Sequence, residues 1–243
     1  MRNSNVAQIR RIPLSTATNA LVLINVLAYV WESSTGAFSS DYALLAHGAI
    51  YGPLVTQGQW WRIVTGAFLH GGLLHVGFNM FALYQVGTFL EMLVGAPRML
   101  IVYMVSLVGS GIAVVLFNYN EVTVGASGAI FGIFGALVAI GLRLGRPGRG
   151  LVQQTLPIIV INLAIGFTIP NISSVGHIGG LVSGFVAGLA MLMLHQAPQR
   201  PQEVSEFSQP PAVREDVSAH ADEAAHESTE TPDDTVEQQT DRA

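Results

Sequence analysis

The sequence predicts an all-α membrane protein with six transmembrane helices. Half of its 243 residues are hydrophobic and only 11% are charged, whereas about a quarter of the residues in a soluble domain carry a charge. The apolar residues also cluster in stretches close to the length of about 20 residues that an α-helix needs to cross a bilayer. Finally, apart from Arg62, the arginines of the apolar part of the chain lie in alternate loops or next to its ends, as expected for a polytopic protein.

Six apolar stretches make up the body of the chain. They run from Ser15 to Trp31, His75 to Val94, Arg98 to Phe117, Ser127 to Leu144, Leu151 to Ile169 and His177 to His195. The first is the weakest, and the arginines before it also suit a signal peptide. Because no small-residue cleavage site follows Trp31, we favour a retained helix.

Arginine positions predict the orientation of these spans. The loop and terminal arginines that fall on one side are Arg2, Arg10, Arg11, Arg98, Arg143, Arg146, Arg149 and Arg200. Since short cytoplasmic loops are enriched in Lys and Arg, both termini are predicted to be cytoplasmic and the 32–74 connection external. All 11 basic residues are arginine, which is typical of a GC-rich bacterial genome, so we expect an integral protein of a bacterial plasma membrane.

The composition changes sharply near residue 197. Residues 1–200 contain nine arginines and four acidic residues, whereas the remaining residues contain two arginines and twelve acidic residues. This last part is also rich in Pro, Gln, Ser and Thr and poor in apolar residues, so it cannot bury enough surface to fold alone. We therefore predict a six-helix transmembrane domain over 1–196 and a disordered acidic cytoplasmic tail over 197–243.

Two polar residues stand at the entrances of apolar spans. Ser127 lies in the sequence Gly125-Ala126-Ser127-Gly128, and His177 follows some fifty residues later. Polar groups are costly in a membrane without a partner, and a nucleophile with its base would supply that partner. Alternatively, Ser127 bonds to its own helix backbone and His177 is simply a helix-end residue near lipid headgroups.

The predicted topology brings four uncharged polar side chains to one depth. His75 and Asn79 lie one turn apart near the external end of the second span. Ser127 and His177 lie in the first turns of the fourth and sixth spans, which also start outside. A shared depth on three helices favours an active site over independent packing roles.

Glycine predicts which helices pack together. The sixth span carries Gly176, Gly180, Gly184 and Gly188, every fourth residue, and His177 falls on the same face. The fourth span carries its own series, Gly125, Gly128, Gly132 and Gly135. Because small residues let helices approach closely in lipid, we expect these two spans to be neighbours.

Four motifs resemble those of rhomboid intramembrane serine proteases. They are Trp61-Arg62, His75-Val76-Gly77-Phe78-Asn79, the segment from Gly125 to Gly132, and Gly176-His177-Ile178-Gly179-Gly180. The similarity covers roughly residues 15–195, and the four motifs follow one another at matching depths. It implies a rhomboid-like bundle of six transmembrane helices whose site opens to the external side.

The resemblance also implies roles for individual residues. Ser127 would be the nucleophile and His177 the general base and acid, while His75, Asn79 and backbone amides near Ser127 would form the oxyanion hole. Where many relatives carry tyrosine this chain has Phe131, so stacking on His177 is expected without the hydroxyl. Gly125, Gly128 and Gly180 would support the site, and no cofactor is required.

Substrates would be single-span or other transmembrane proteins in the lipid bilayer, and neither a metal nor a nucleic acid is an expected partner. The sequence has no His-Glu-x-x-His motif and no pair of aspartates within its spans, which excludes the zinc and aspartyl types of intramembrane protease. The remaining histidines, His47, His70, His195, His220 and His226, are scattered. Two alternatives stay open: a catalytically inactive rhomboid-like chaperone or adaptor for membrane proteins, and a small-solute transporter.

Overall fold

The computed structural model describes residues 15–37, 40–168 and 173–194. Within them, ten α-helices follow one another, with no strand beyond one isolated bridge. They are α1 (Thr16–Thr35), α2 (Asp41–His47), α3 (Gly52–Thr56), α4 (Arg62–Thr65), α5 (Leu73–Ala82), α6 (Thr88–Val94), α7 (Ala96–Phe117), α8 (Ser127–Leu144), α9 (Arg149–Thr168) and α10 (Ser174–Leu194). The predicted all-α class is therefore confirmed for this part of the chain. The predicted tail over 197–243 lies outside the described residues.

Five helical stretches in the described part are long and apolar enough to cross a membrane. They are Leu73–Val94, Ala96–Phe117, Ser127–Leu144, Arg149–Thr168 and Ser174–Met193. Each coincides with a predicted span to within a few residues. α1 covers the first predicted span but is not among the five, so the count of six spans stays a prediction.

The second span is a composite helix. It begins after Gly72, whose φ of +143° suits glycine, and one turn of π-helix over Leu83–Gly87 joins α5 to α6. At Gly87 a Cβ atom would lie 3.1 Å from Thr18 Cγ2 on α1. The missing side chain therefore allows α1 to approach this turn closely. Gly95, with a φ of +84°, then separates α6 from α7.

α8 forms the centre of the bundle and packs closely against α7 and α10. Most of its residues are buried, and backbone meets backbone along α10: a Cβ atom at Gly180 would strike the carbonyl of Gly128, and one at Gly184 the carbonyl of Gly132. α8 and α10 are thus neighbours, as the glycine series predicts.

The segment between α1 and α5 packs onto the loop that precedes α8. Ile50 and Thr123 exchange backbone hydrogen bonds of 3.0 Å in each direction. The buried Arg62 donates from Nη1 to the carbonyls of Leu45 (2.7 Å) and Ala49 (3.1 Å). These bonds hold the three short helices α2 to α4 beside the start of α8.

Candidate active site

Ser127 and His177 meet because two glycine-lined helices lie side by side from their first turns onward. Ser127 is the first residue of α8, two residues after Gly125 with its φ of +119°. α10 begins at Ser174, earlier than the predicted start at His177, because Ser173 Oγ accepts the amide hydrogen of Gly176 at 3.1 Å. The close approach of Gly180 to Gly128 then places the two side chains side by side.

The two side chains are within hydrogen-bonding distance. His177 Nε2 and Ser127 Oγ are 2.8 Å apart, although the residues are fifty positions apart in the sequence. His177 is buried, and its ring stacks on Phe131 with centroids 4.2 Å apart and planes 11° from parallel. Stacking on Phe131 is what the resemblance predicts for this position. Among the described residues, His177 Nδ1 has no hydrogen-bond partner, so no carboxylate completes a triad in this part of the chain.

His75 and Asn79 lie on α5 facing the turn that leads into Ser127. A Cβ atom at Gly125 would lie 2.8 Å from His75 Nε2 and 3.8 Å from Asn79 Nδ2. A side chain at Gly125 would therefore occupy the space in front of both groups. Asn79 Nδ2 donates one hydrogen to the carbonyl of His75 at 3.0 Å, which leaves its second N–H hydrogen for another acceptor.

The backbone also determines which nitrogen of His75 carries the proton. The amide of Gly71 donates to His75 Nδ1 at 3.3 Å, so Nδ1 is an acceptor. In a neutral imidazole the other nitrogen then holds the hydrogen. His75 Nε2–H is therefore a donor beside Gly125.

Sequence reasoning missed two residues that lie behind His75. The ring of His70 contacts that of His75 edge to face, with centroids 5.2 Å apart, and the amide of His70 donates to Glu32 Oε2 at 2.9 Å. Both Glu32 and His70 are fully buried. Burial, together with neighbouring His75, lowers the pKa of His70 to about 3, so its ring is neutral at physiological pH. An acidic residue at the end of an apolar stretch was the available signal for Glu32.

No group of three or more His, Asp or Glu side chains in the described part could hold a metal ion. His47 lies apart from the site, where its Nδ1 bonds to the carbonyl of Ala43 at 2.7 Å and its ring contacts Trp31. His195, His220 and His226 lie outside the described residues.

The sequence that forms this site is similar to sequences of a known protein family. The family model described as "Rhomboid domain" matches residues 57–194, a range that includes Ser127, His177, His75 and Asn79. "Rhomboid protease GluP" of Bacillus subtilis (strain 168) is 37% identical over 177 residues, which cover 72% of this chain and 35% of that protein.

Two Arabidopsis thaliana proteins are similar over a shorter stretch. "RHOMBOID-like protein 6, mitochondrial" is 37% identical and "RHOMBOID-like protein 5" is 34% identical, each over 154 residues. These cover 62% and 61% of this chain and 50% of each relative, so the chain spans half or less of the length of these three relatives. The matched family model extends over most of the helical bundle, and the chain belongs to the rhomboid family.

Proposed function

We propose that this protein is an intramembrane serine endopeptidase that cleaves peptide bonds in or near transmembrane segments of membrane proteins. The observation that carries the proposal is the distance of 2.8 Å between Ser127 Oγ and His177 Nε2. A hydroxyl held against a buried imidazole is the arrangement that nucleophilic catalysis requires. The similarity to a named rhomboid protease supports the same reaction.

The catalytic cycle follows from the positions of these two side chains. His177 Nε2 accepts the hydroxyl proton while Ser127 Oγ attacks the scissile carbonyl, and His177 then returns the proton to the leaving amine. Water next attacks the acyl-enzyme while His177 takes its proton; the ester bond to Ser127 Oγ then breaks, the new carboxyl end leaves, and His177 returns the proton to Ser127 Oγ. Stacking on Phe131 orients the imidazole toward Ser127 during the reaction. In a Ser-His-Asp triad, the aspartate has this orienting role.

The negative charge that develops on the substrate oxygen needs hydrogen-bond donors. We assign this role to His75 Nε2–H and Asn79 Nδ2, which flank Gly125, together with the backbone amides at the start of α8, which lack partners within their own helix. Loss of one such donor typically lowers kcat by about 10² to 10³. His75→Ala and Asn79→Ala are therefore expected to retain measurable but greatly reduced cleavage.

Location and substrate follow from the membrane setting. We propose a bacterial plasma membrane protein with six spans and cytoplasmic termini, whose site opens to the external side. Water is a reactant and is excluded by lipid, so a shallow external site suits hydrolysis. The backbone of a transmembrane helix is covered by its own hydrogen bonds, so we expect cleavage to favour segments that contain helix-breaking residues.

The test is cleavage of a single-span reporter with an external N-terminus by the purified full chain in liposomes. Ser127→Ala and His177→Ala should each lower the rate by several orders of magnitude because nucleophile and base act as a unit. Matched controls are Ser106→Ala and His47→Ala. Ser106 is a buried serine that bonds within α7, and His47 bonds within α2.

The controls make the outcomes distinct. If all four variants lose cleavage equally, the loss is not specific to Ser127 and His177, and their assignment as nucleophile and base is contradicted. Wild-type protein that binds reporters but cleaves none of a varied set would overturn the protease proposal in favour of an inactive chaperone or adaptor.

A further inference from the structure

α1 is attached at both ends to the composite helix of the second span by buried glutamates. At its start, Glu91 of α6 accepts the amide hydrogens of Ala17 (3.0 Å) and Thr18 (2.8 Å). At its end, Glu32 accepts the amide hydrogen of His70, just before α5. The two attachments use the same chemistry, yet only that of Glu32 lies beside the candidate active site.

Adjacent backbone amides connect Glu32 to His75. The amide of His70 donates to Glu32 Oε2 at 2.9 Å, and the next amide, that of Gly71, donates to His75 Nδ1 at 3.3 Å. The two amides belong to successive rigid peptide planes joined at the His70 Cα atom. With the first plane held by Glu32 and the His70 side chain buried against His75, little rotation remains to turn the second amide. The segment needs this constraint, because Gly71 and Gly72 give the backbone wide conformational freedom.

Of the hydrogen bonds that the described residues make to His70, the one to Glu32 reaches another helix, whereas the other is local. The His70 ring bonds through Nδ1 to the carbonyl of Phe68 at 3.2 Å and lies edge to face on His75. Burial of a carboxyl group is unfavourable unless hydrogen bonds compensate for the lost water. Glu32 has zero exposure, and among the described residues its Oε1 has no hydrogen-bond partner. The hydrogen bond from the His70 amide to Oε2 is therefore the contact that compensates for the burial of Glu32.

We propose that Glu32 is a positioning residue: by holding the His70 amide it orients the Gly71 amide toward His75 Nδ1, and so keeps a hydrogen on His75 Nε2 for the oxyanion hole. The inference rests on the proposed function, since it assigns Glu32 an effect on the same reaction. Glu32 lies outside the residues matched by the family model. Without the bond, the Gly71 amide can turn away and His75 can exchange tautomers, which removes the donor part of the time.

The kinetic test compares Glu32→Ala, Glu32→Gln and the matched control Glu91→Ala, each as full chain in liposomes. The concentration of active protein is measured by complete fluorophosphonate labelling of Ser127, and kcat is calculated from that concentration. A variant that is partly unfolded is then not mistaken for a slow enzyme. We expect Glu32→Ala to lower kcat about tenfold or more with little change in KM, since an oxyanion donor acts in the transition state. Glu32→Gln keeps an acceptor oxygen and should restore kcat, and Glu91→Ala should lower stability but not kcat.

A double-mutant cycle separates positioning from general stability. In a His75→Ala background the donor is already gone, so adding Glu32→Ala should change kcat less than about twofold. An undiminished tenfold loss in that background would overturn the proposal. So would a loss in Glu91→Ala equal to that in Glu32→Ala.

A spectroscopic measurement keeps the test independent of activity. In ¹⁵N NMR of histidine-labelled protein in micelles, His75 should be the Nε2–H tautomer in wild type and Glu32→Gln, and a mixture of tautomers in Glu32→Ala. An unchanged tautomer in Glu32→Ala would refute the positioning role even if the enzyme is active. A shifted tautomer in a protein that cleaves nothing would leave the positioning intact and refute only the protease proposal.

Discussion

Phe131 stands where the resemblance to rhomboid proteases implies a tyrosine. Its ring lies 4.2 Å from that of His177 and nearly parallel to it, so the aromatic face is kept. An aromatic pair contributes about 0.5–1.5 kcal/mol beyond the burial of its area. Because the contact fixes the plane of the imidazole that we propose as the general base, we assign that energy to orientation of His177.

Replacement of Phe131 should separate stacking from volume. Phe131→Leu keeps an apolar side chain but removes the stack, and we expect kcat to fall about 2- to 12-fold, which is the rate equivalent of 0.5–1.5 kcal/mol. Phe131→Tyr should retain wild-type kcat. Both variants are assayed on the liposome reporter after fluorophosphonate counting of active protein. A Phe131→Leu enzyme as fast as Phe131→Tyr would show that stacking does not orient His177.

The sequence allows some of these residues to be foreseen but not others. Ser127, His177, His75 and Asn79 could be grouped because each lies near the same end of a recognisable apolar span. Glu32 could be noticed as an acidic residue at the end of an apolar stretch, but its partner could not, because His70 sits in a loop whose path the periodicity does not describe. The hydrogen bond between His70 and Glu32 joins residues 38 positions apart, a contact that composition and spacing leave open.

At the scale of elements, the contact between α8 and α10 is what brings Ser127 to His177. Glycines at every fourth position predict that contact, and the structure places the backbone of Gly180 against that of Gly128. The serines of α7 were not predicted to contact α8, yet Ser110 lies against Gly128 and Ser106 against Gly132. The π-helical turn over Leu83–Gly87 was also not predicted. Residues 73–94 are apolar around most of the helix, so the rotation of about 100° that one extra residue causes leaves no visible break in the pattern.

Substitution at Gly180 should test this contact directly. A Cβ atom there would strike the main-chain oxygen of Gly128, which cannot move aside as a side chain can. We expect Gly180→Ala to cost about 1–3 kcal/mol through overpacking and to separate Ser127 from His177. Thermal unfolding in detergent should show a lower midpoint, and fluorophosphonate labelling of Ser127 should slow.

The matched control is Gly150→Ala on α9, where the nearest atom to an added Cβ, Gln154 Nε2, is 4.0 Å away. Alanine is the better helix former by about 1 kcal/mol, so this variant should be as stable as wild type or more stable. If Gly180→Ala behaves like Gly150→Ala, the close approach of α8 and α10 is not required for the site.

At the scale of the whole molecule, the open question is whether α1 crosses the membrane. Its polar residues Thr18, Asn25 and Glu32 recur every seventh position and have zero exposure, so they face the bundle. The opposite face carries Leu23, Leu27 and Val30, each 58% exposed. An average over the helix mixes these faces, which explains why α1 falls short of the five apolar spans although its outer surface suits lipid.

Each end of α1 is hydrogen-bonded to the opposite end of the second span. Glu91, near the end of the second span, bonds to the start of α1, and Glu32, near the end of α1, bonds just before the start of the second span. α1 therefore runs antiparallel to that span along its whole length. We therefore propose that α1 crosses the membrane together with this candidate span, which gives six spans in all.

Cysteine labelling can test this topology cleanly because the chain contains no cysteine of its own. We expect Asn3→Cys and Pro147→Cys to be protected from a membrane-impermeant maleimide in intact cells, and Ser40→Cys and Asn120→Cys to react. All four should react after the membrane is permeabilised. If α1 lies on the external surface instead, Asn3→Cys will react in intact cells as Ser40→Cys does, and the protein has five spans with an external N-terminus.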